Sequence, residues 1–161
     1  SGFQSAQFRC IEFVCGLKNE RHLQNYGPGT EERAELERRL AGTTVGESFY
    51  DLLRRRGFDL PAGSGPDDDR ASEQRVRALT GLYHNPDRHY DLYLLAEALV
   101  EFDQMFSLWR LHHIEMVERM IGSKRGTGGS EGVAYLRNTL NHKFFPELWA
   151  LRNLLSPRSS R

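Results

Sequence analysis

Hydrophobic residues recur at helical spacing along most of this 161-residue chain. The longest such pattern lies between Asp87 and about Ile121, where apolar side chains alternate at steps of three and four residues. This repeat is typical of one face of an α-helix. The stripe consists of Leu95, Leu99, Phe102, Phe106, Trp109, His113, Met116 and Met120. It predicts a long helix packed deep in a helical bundle.

The same spacing predicts shorter helices on both sides of the long one. Capping and breaking residues set their bounds: Thr30 begins one helix, Pro86 follows the end of another, and Pro146 suits a first helical turn. The predicted helices end near Gly16, cover 31–41 and 46–56, run from Arg70 (capped by Asp69) to Tyr83, and cover 132–141 and 146–155. No convincing strand pair occurs in the pattern. The chain is therefore predicted to be all-α.

Composition narrows the class of protein further. Hydrophobic residues make up 39% of the chain and charged residues 27%, with a formal net charge of zero. This balance favours no nucleic-acid or anionic-membrane partner, and no apolar run approaches the ~18 residues of a membrane span. Ser1 opens the chain within a pattern that already resembles a core. We therefore expect residues 1–161 to form one helical domain that lacks its N-terminal portion and acts in the cytoplasm.

The two cysteines and two arginine runs outside the apolar stripe lead to simple predictions. Cys10 and Cys15 match no zinc or disulfide pattern, so both are expected to be buried free thiols in a reducing cytosol. The arginines at 38–39 and 54–56 have acidic residues nearby, which indicates charged, solvated helix faces.

Adjacent histidines, His112 and His113, lie within the long predicted helix. His113 belongs to the apolar stripe, next to Trp109 and Met116, whereas His112 lies about 100° further round the helix. A hydrogen-bonded core histidine, a metal or heme ligand and an acid–base residue all fit an inward His113. No second ligand follows at helical spacing, which argues against zinc. A heme needs only one protein ligand on its proximal side.

A glycine-rich segment, GSKRGTGGSEG, follows this helix from Gly122 to Gly132. Its five glycines allow backbone N–H groups to converge on an anion, Thr127 adds a hydroxyl, and Lys124 and Arg125 add positive charge. The order of residues is not that of a phosphate-binding P-loop. A solvated linker and a ligand-binding lid both remain open, and the position after the His113 helix favours the lid.

Three separated segments resemble the tryptophan 2,3-dioxygenase family, which is heme-dependent. They are SGFQSAQFR at 1–9, WRLHHIEMVERMIGSKRGTGGS at 109–130 and FFPELWALR at 144–152. The resemblance spans nearly the whole chain and corresponds to the C-terminal part of the family's catalytic domain. It implies a helical bundle of the heme dioxygenase type with a glycine-rich active-site loop. It also implies that His113 is the proximal axial ligand of the iron of heme b.

The same resemblance implies roles in substrate binding. Thr127 would bind the amino-acid head of tryptophan through its hydroxyl and backbone N–H, and Gly126 and Gly128 would let the loop close. Ser1 and Gly2 would border the distal pocket. The implied reaction inserts both atoms of O2 across the indole C2–C3 bond of L-tryptophan and gives N-formylkynurenine, the first step of the kynurenine route. Family members assemble as homotetramers.

Some features of the sequence depart from the family pattern. The family's distal histidine and its carboxylate-clamping arginine precede the SGFQS segment, so neither is placed in this chain. Ser123 stands where the family more often has an aromatic residue, and Arg9 receives no assigned role. A related histidine-ligated heme oxygenase acting on another indole or aromatic compound therefore remains an alternative. A non-catalytic heme-binding scaffold is a further one.

Overall fold

The computed structural model of the chain describes residues 6–16, 23–24, 26–61, 69–121, 140 and 142–155. The elements are α1 (Ala6–Cys15), α2 (Glu31–Ala41), α3 (Val45–Arg55), α4 (Asp69–His84), a 3-10 turn (Pro86–His89), α5 (Tyr90–Ile121), α6 (Pro146–Ala150) and a second 3-10 turn (Leu151–Asn153). These residues contain no strand, so the prediction of an all-α fold is confirmed. The predicted helix at 132–141 lies almost entirely outside the described residues.

Local sequence signals set most helix boundaries. The Thr30 hydroxyl accepts from the backbone N–H of Arg33 at the start of α2, and Pro146 occupies the first turn of α6, both as predicted. α5 begins at Tyr90, three residues later than predicted, because the 3-10 turn that starts at Pro86 comes before it. Proline lacks the N–H that would continue the hydrogen-bond ladder of α4, so the chain changes direction there.

The core lies where α3, α4, α5 and α6 meet. Its buried side chains are mostly leucine and phenylalanine, and burying each one contributes about 1.5–3 kcal/mol. The cluster consists of Cys15, Phe49, Leu53, Leu60, Leu79, Leu82, Leu92, Ala96, Phe144, Phe145, Leu148 and Leu151. Segment 144–151 therefore packs as an integral part of the core rather than as a tail.

The apolar stripe of α5 is not its buried face, so the prediction that it packs deep in a bundle is wrong for the described part of the chain. Exposed fractions along the stripe reach 42% at Phe102, 45% at Trp109 and 74% at Met120. The buried residues of α5 lie about 90° round the helix and are Leu92, Ala96, Asp103, Arg110 and Ile114. Two of these five are charged, and their partners come from distant segments that the pattern on α5 does not reveal.

Ion pairs form both within a helix and between helices. Arg38 and Arg39 both pair with Glu35 on α2, which confirms the prediction of a charged face there. A buried pair of a different kind joins α4 to α6, where Arg75 Nε lies 2.7 Å from a Glu147 carboxylate oxygen. Because both side chains are almost fully buried, loss of either partner would leave an unpaired charge in the interior between α4 and α6.

Candidate functional site

His113 lies near the C-terminal end of α5, beside a row of aromatic rings. Its imidazole centre is 5.8 Å from that of Trp109, which stacks on Phe106 at 5.3 Å. Phe106 in turn packs 5.0 Å from Phe144, a core residue. A continuous path of ring contacts therefore connects the imidazole to the core of the molecule.

The environment of His113 favours a neutral imidazole. The side chain is half-buried, whereas that of His112 is exposed, so the prediction that His113 is the more inward of the two is confirmed. Burial lowers the pKa of His113 below its ordinary value. The neutral form therefore predominates at neutral pH, and it is the neutral form that binds metal ions.

The donors around His113 suit a cofactor that takes one protein ligand. Within the described residues, no group of three or more histidine, cysteine or acidic side chains could hold a metal ion. The surface beside the imidazole consists instead of exposed apolar side chains, including Trp109 and Met116. One imidazole next to a broad apolar surface is the combination that a heme requires. The residues present therefore fit this group.

Asp103 is a buried charged residue that sequence reasoning did not identify. Its side chain is fully buried, and its Oδ2 atom accepts three N–H groups from a segment more than forty residues away. The donors are the backbone N–H of Phe144 at 3.1 Å, the backbone N–H of Phe145 at 3.3 Å and the Nε1–H of Trp149 at 2.9 Å. Convergence of three donors on one oxygen stabilises a buried carboxylate.

Arg110, also overlooked in the sequence, lies two turns further along the same face of α5. One guanidinium nitrogen donates to the carbonyl oxygen of His142 at 3.0 Å, and the group lies over the rings of Phe106 and Phe144 at 4.7 and 5.3 Å. Burial lowers the pKa of Arg110, and the negative charges of Glu12 and Asp103 oppose that shift. The seven-residue spacing of Ala96, Asp103 and Arg110 places them on one face of α5, but nothing in that spacing indicates that the face is buried.

An apolar cavity of about 370 Å³ lies between α1 and α5. It is lined by Cys10, Ile11, Val14, Cys15, Val45, Ala98, Leu99, Phe102 and Phe145. Cys15 is buried, and burial, with a smaller effect of the Asp103 charge, raises the pKa of its thiol to about 11. Cys10 is exposed, so the expectation that both thiols are buried is wrong for Cys10. The two thiols are five residues apart and so about 140° from each other round α1, which allows one to be exposed while the other is buried.

All five of the substrate-binding residues implied by the resemblance lie outside the described residues. These are Ser1, Gly2, Gly126, Thr127 and Gly128, and the side chain of Arg9 is likewise outside them. Their roles stay predictions. Of the site residues predicted from the sequence, the structure places His113 alone.

Within the described ranges of the chain, no helix is both long enough and apolar enough to cross a lipid bilayer.

Comparison with known proteins identifies the family. The family model for tryptophan 2,3-dioxygenase matches residues 69–155. A tryptophan 2,3-dioxygenase of a Bradyrhizobium species is 46% identical over 156 residues, which cover 94% of this chain and 56% of that protein. The Erythrobacter litoralis enzyme of the same name is 41% identical over 159 residues, covering 96% of this chain and 60% of that protein.

The matched relatives are longer than this chain. A third relative, the tryptophan 2,3-dioxygenase of Paraburkholderia phytofirmans, is 40% identical over 161 residues, which cover 96% of this chain and 52% of that protein. The chain thus spans about half the length of the curated relatives it matches. The region matched by the family model contains α4, α5 and α6, the helices that build the His113 face and its support. The chain belongs to the tryptophan 2,3-dioxygenase family.

Proposed function

We propose that this chain is the heme-binding part of a dioxygenase that opens the indole ring of L-tryptophan. The observation that carries the proposal is His113, a half-buried imidazole with a lowered pKa beside an apolar aromatic face. Membership of the tryptophan 2,3-dioxygenase family indicates the reaction in which such a face would take part. The product is N-formylkynurenine, which enters the kynurenine route of tryptophan catabolism.

The cofactor and the protein have different roles in the proposed reaction. Both atoms of O2 are inserted across the indole C2–C3 bond, which breaks, so no external reductant is consumed. Heme b supplies the oxygen chemistry when bound. The chain's own residues bind the two reactants, orient them and exclude water.

His113 would hold the iron of heme b in this proposal. A neutral imidazole offers one nitrogen lone pair to iron, and burial keeps the imidazole in that form. Trp109 and Phe106 stack in sequence beside it and provide an apolar wall. With the group bound, such a wall would exclude water beside His113 and limit the orientations that the imidazole can adopt.

The glycine-rich segment binds the substrate in this proposal. The Thr127 hydroxyl accepts from the ammonium group of tryptophan, and its backbone N–H donates to the carboxylate. Gly126 and Gly128 give the segment the backbone freedom to close over the amino-acid head. Ser1 and Gly2 border the distal side of the pocket.

The axial role of His113 is tested by titrating the chain with hemin and following the Soret band. We expect His113→Ala to abolish stable binding, because the iron loses its protein ligand. His112→Ala is the matched control, since His112 is adjacent but exposed, and it should bind hemin as the parent chain does. Equal binding by the parent and His113→Ala would contradict the assignment.

The substrate role of Thr127 is tested in the hemin-loaded protein by titrating L-tryptophan. Thr127→Ala should keep heme binding and weaken tryptophan affinity by roughly 1–3 kcal/mol, the cost of losing the partner of a buried polar group. Ser130→Ala, which removes another hydroxyl from the same segment, is the control and should leave the affinity unchanged. An unaltered tryptophan titration in Thr127→Ala would sink the assignment of this segment.

Ser123 favours a second candidate function. The resemblance implies that an aromatic residue is more common at this position in the family, so a serine there is in keeping with another indole or aromatic substrate. We therefore include substituted indoles in the turnover assay of the whole protein. Faster turnover of one of them than of L-tryptophan would select the alternative. Absence of any reaction with O2 in the ferrous state would select a non-catalytic heme-binding role.

The whole protein acts as a cytoplasmic homotetramer in this proposal. The broad exposed apolar face of α5 is in keeping with further packing partners, because soluble chains seldom leave such a surface uncovered. Light scattering coupled to size-exclusion chromatography gives the assembly state directly. A monomeric mass for the active whole protein would rule out the tetramer.

A further inference from the structure

Asp103 has no part in the proposed function, yet it is a fully buried carboxylate on the helix that carries His113. Its Oδ2 atom accepts N–H groups from Phe144, Phe145 and Trp149, whereas its Oδ1 atom has no hydrogen-bond partner among the described residues. Burying a charge is costly unless its hydrogen bonds offset the loss of water. The three donors that offset this cost all come from residues 144–149.

A second attachment point on the same face of α5 is Arg110. Its guanidinium donates to the carbonyl oxygen of His142 and lies over the ring of Phe144. Asp103 and Arg110 are seven residues apart, which is about 10 Å along the helix axis. Segment 142–149 is therefore fastened to α5 at two points, and a helix held at two points on one face cannot roll about its axis.

The attachment extends to the imidazole through ring contacts. Phe144 donates its backbone N–H to Asp103 and packs on Phe106 at 5.0 Å. Phe106 stacks on Trp109 at 5.3 Å, and Trp109 lies 5.8 Å from His113. A small rotation of this part of α5 would move the imidazole and the indole of Trp109 together.

We propose that Asp103 is a positioning residue that clamps residues 144–149 against α5 and thereby fixes the rotation of the helix face presenting His113. This inference rests on the proposed role of His113 as the heme ligand. Asp103 acts through its three N–H partners and touches neither cofactor nor substrate. Its contribution is the orientation of the imidazole, in the way that outer groups commonly orient the ligands of a metal.

The test compares variants that weaken the contacts of residues 144–149 either with α5 or with α4. Asp103→Asn is nearly isosteric and offers the three donors only a neutral oxygen, and Trp149→Phe removes one donor while keeping a ring. Glu147→Gln is the matched control, because Glu147 joins the same segment to α4 through Arg75 at 2.7 Å rather than to α5. All measurements are made on the full chain, well below the midpoint of thermal unfolding of each variant.

Two readouts separate positioning from simple stability. Hemin affinity is measured from the Soret band, together with the iron–histidine stretching band of the ferrous form. The imidazole NMR signals of His113 are recorded in the heme-free chain, where they respond to any change in the surroundings of the ring that a rotation of α5 causes. We expect Asp103→Asn to weaken hemin binding about ten-fold, the lower end of the effect of outer groups on metal affinity. Trp149→Phe should have a smaller effect of the same kind.

The outcomes distinguish the inference from the proposed function. Shifted His113 signals and weaker hemin binding in Asp103→Asn, with Glu147→Gln equal to the parent chain, support the inference. The inference is overturned if hemin affinity and the His113 signals change equally in Asp103→Asn and Glu147→Gln, in proportion to the loss of stability of each variant. It is also overturned if Asp103→Asn matches the parent chain in both readouts. In those cases His113→Ala still loses hemin, so the proposed function stands. A parent chain that binds hemin no better than His113→Ala overturns both.

Discussion

The two faces of α5 differ in a way that their hydrophobicity does not indicate. One face carries the longer and more apolar stripe, and its side chains at Phe102, Trp109 and Met116 are 42–49% exposed. The other face carries Asp103 and Arg110, and both are fully buried. The more apolar face is therefore the open one, and the face with two charges is the one that holds the fold together.

Burial on α5 is decided by complementary groups on another segment. Segment 142–149 offers backbone N–H groups, an indole N–H and a carbonyl oxygen, which match a carboxylate and a guanidinium. Once those groups are paired, the surrounding rings of Phe144 and Phe145 can pack closely. Much of the apolar stripe stays exposed instead, and it carries the residue that we propose as the heme ligand.

Removing the buried charge at Arg110 should have the greatest effect on stability. Arg110→Met should lower the free energy of unfolding by about 3–5 kcal/mol, because Asp103 and Glu12 would lose the buried positive charge that faces them. Arg119→Met, on the exposed part of the same helix, should change it by no more than about 0.5 kcal/mol. Urea denaturation measures both, and similar values for the two variants would contradict the distinction between the faces.

Two apolar residues of α5, one buried and one exposed, test the difference between the two faces without any change of charge. Ile114, 1% exposed, and Met116, 49% exposed, are two residues apart on α5. Ile114→Ala should cost about 2–5 kcal/mol because it leaves a cavity in packed surroundings. Met116→Ala should cost no more than about 0.5 kcal/mol in the heme-free chain. A large loss of unfolding free energy in Met116→Ala would mean that the stripe is covered in solution.

The two cysteines of α1 differ in burial and should therefore differ in reactivity. Because burial raises the pKa of Cys15 to about 11, its reactive thiolate is scarce at pH 8, and alkylation should be about 100-fold slower than at an ordinary thiol. Cys10 is exposed and should react first with iodoacetamide, as peptide mass mapping can show. Faster labelling of Cys15 than of Cys10 would reverse this order.

The same pKa shift has a consequence for stability. The folded-state pKa of Cys15 lies above its value of 9.0 in the unfolded chain, so the unfolded chain loses this proton first as the pH rises. The contribution of Cys15 is fully present below pH 9 and is lost progressively as the pH rises towards about 11. Denaturation at pH 8 and pH 10.5 should show a smaller decrease in Cys15→Ala than in the parent chain.

Substitutions on the open face itself should change stability least. Met120 is 74% exposed, so Met120→Gln should change the free energy of unfolding by less than about 0.5 kcal/mol. It should nevertheless reduce self-association of the heme-free chain, because it removes exposed apolar surface. Sedimentation velocity at several concentrations measures this, with Glu115→Gln as a control on the polar side. Equal sedimentation of both variants would argue against an apolar origin of self-association.

Features that depend on neighbouring residues follow from the sequence alone. Thr30 sets a helix boundary by accepting a hydrogen bond from the backbone N–H of Arg33, whereas Pro86 and Pro146 set boundaries because proline lacks an N–H. The all-α class follows from the helical repeat. The angle of about 100° between His112 and His113 could be predicted because it depends only on helix geometry. The family could be predicted because three short segments carry its motifs.

Which face of α5 is buried depends on the tertiary structure. The partners of Asp103 lie 41–46 residues further along the chain, and no spacing on α5 indicates that three N–H groups converge there. A periodic pattern records how apolar a face is, whereas burial depends on whether another segment matches its shape and hydrogen-bonding groups. For the same reason the exposure of Cys10 could not be predicted, since it depends on what packs against each side of α1.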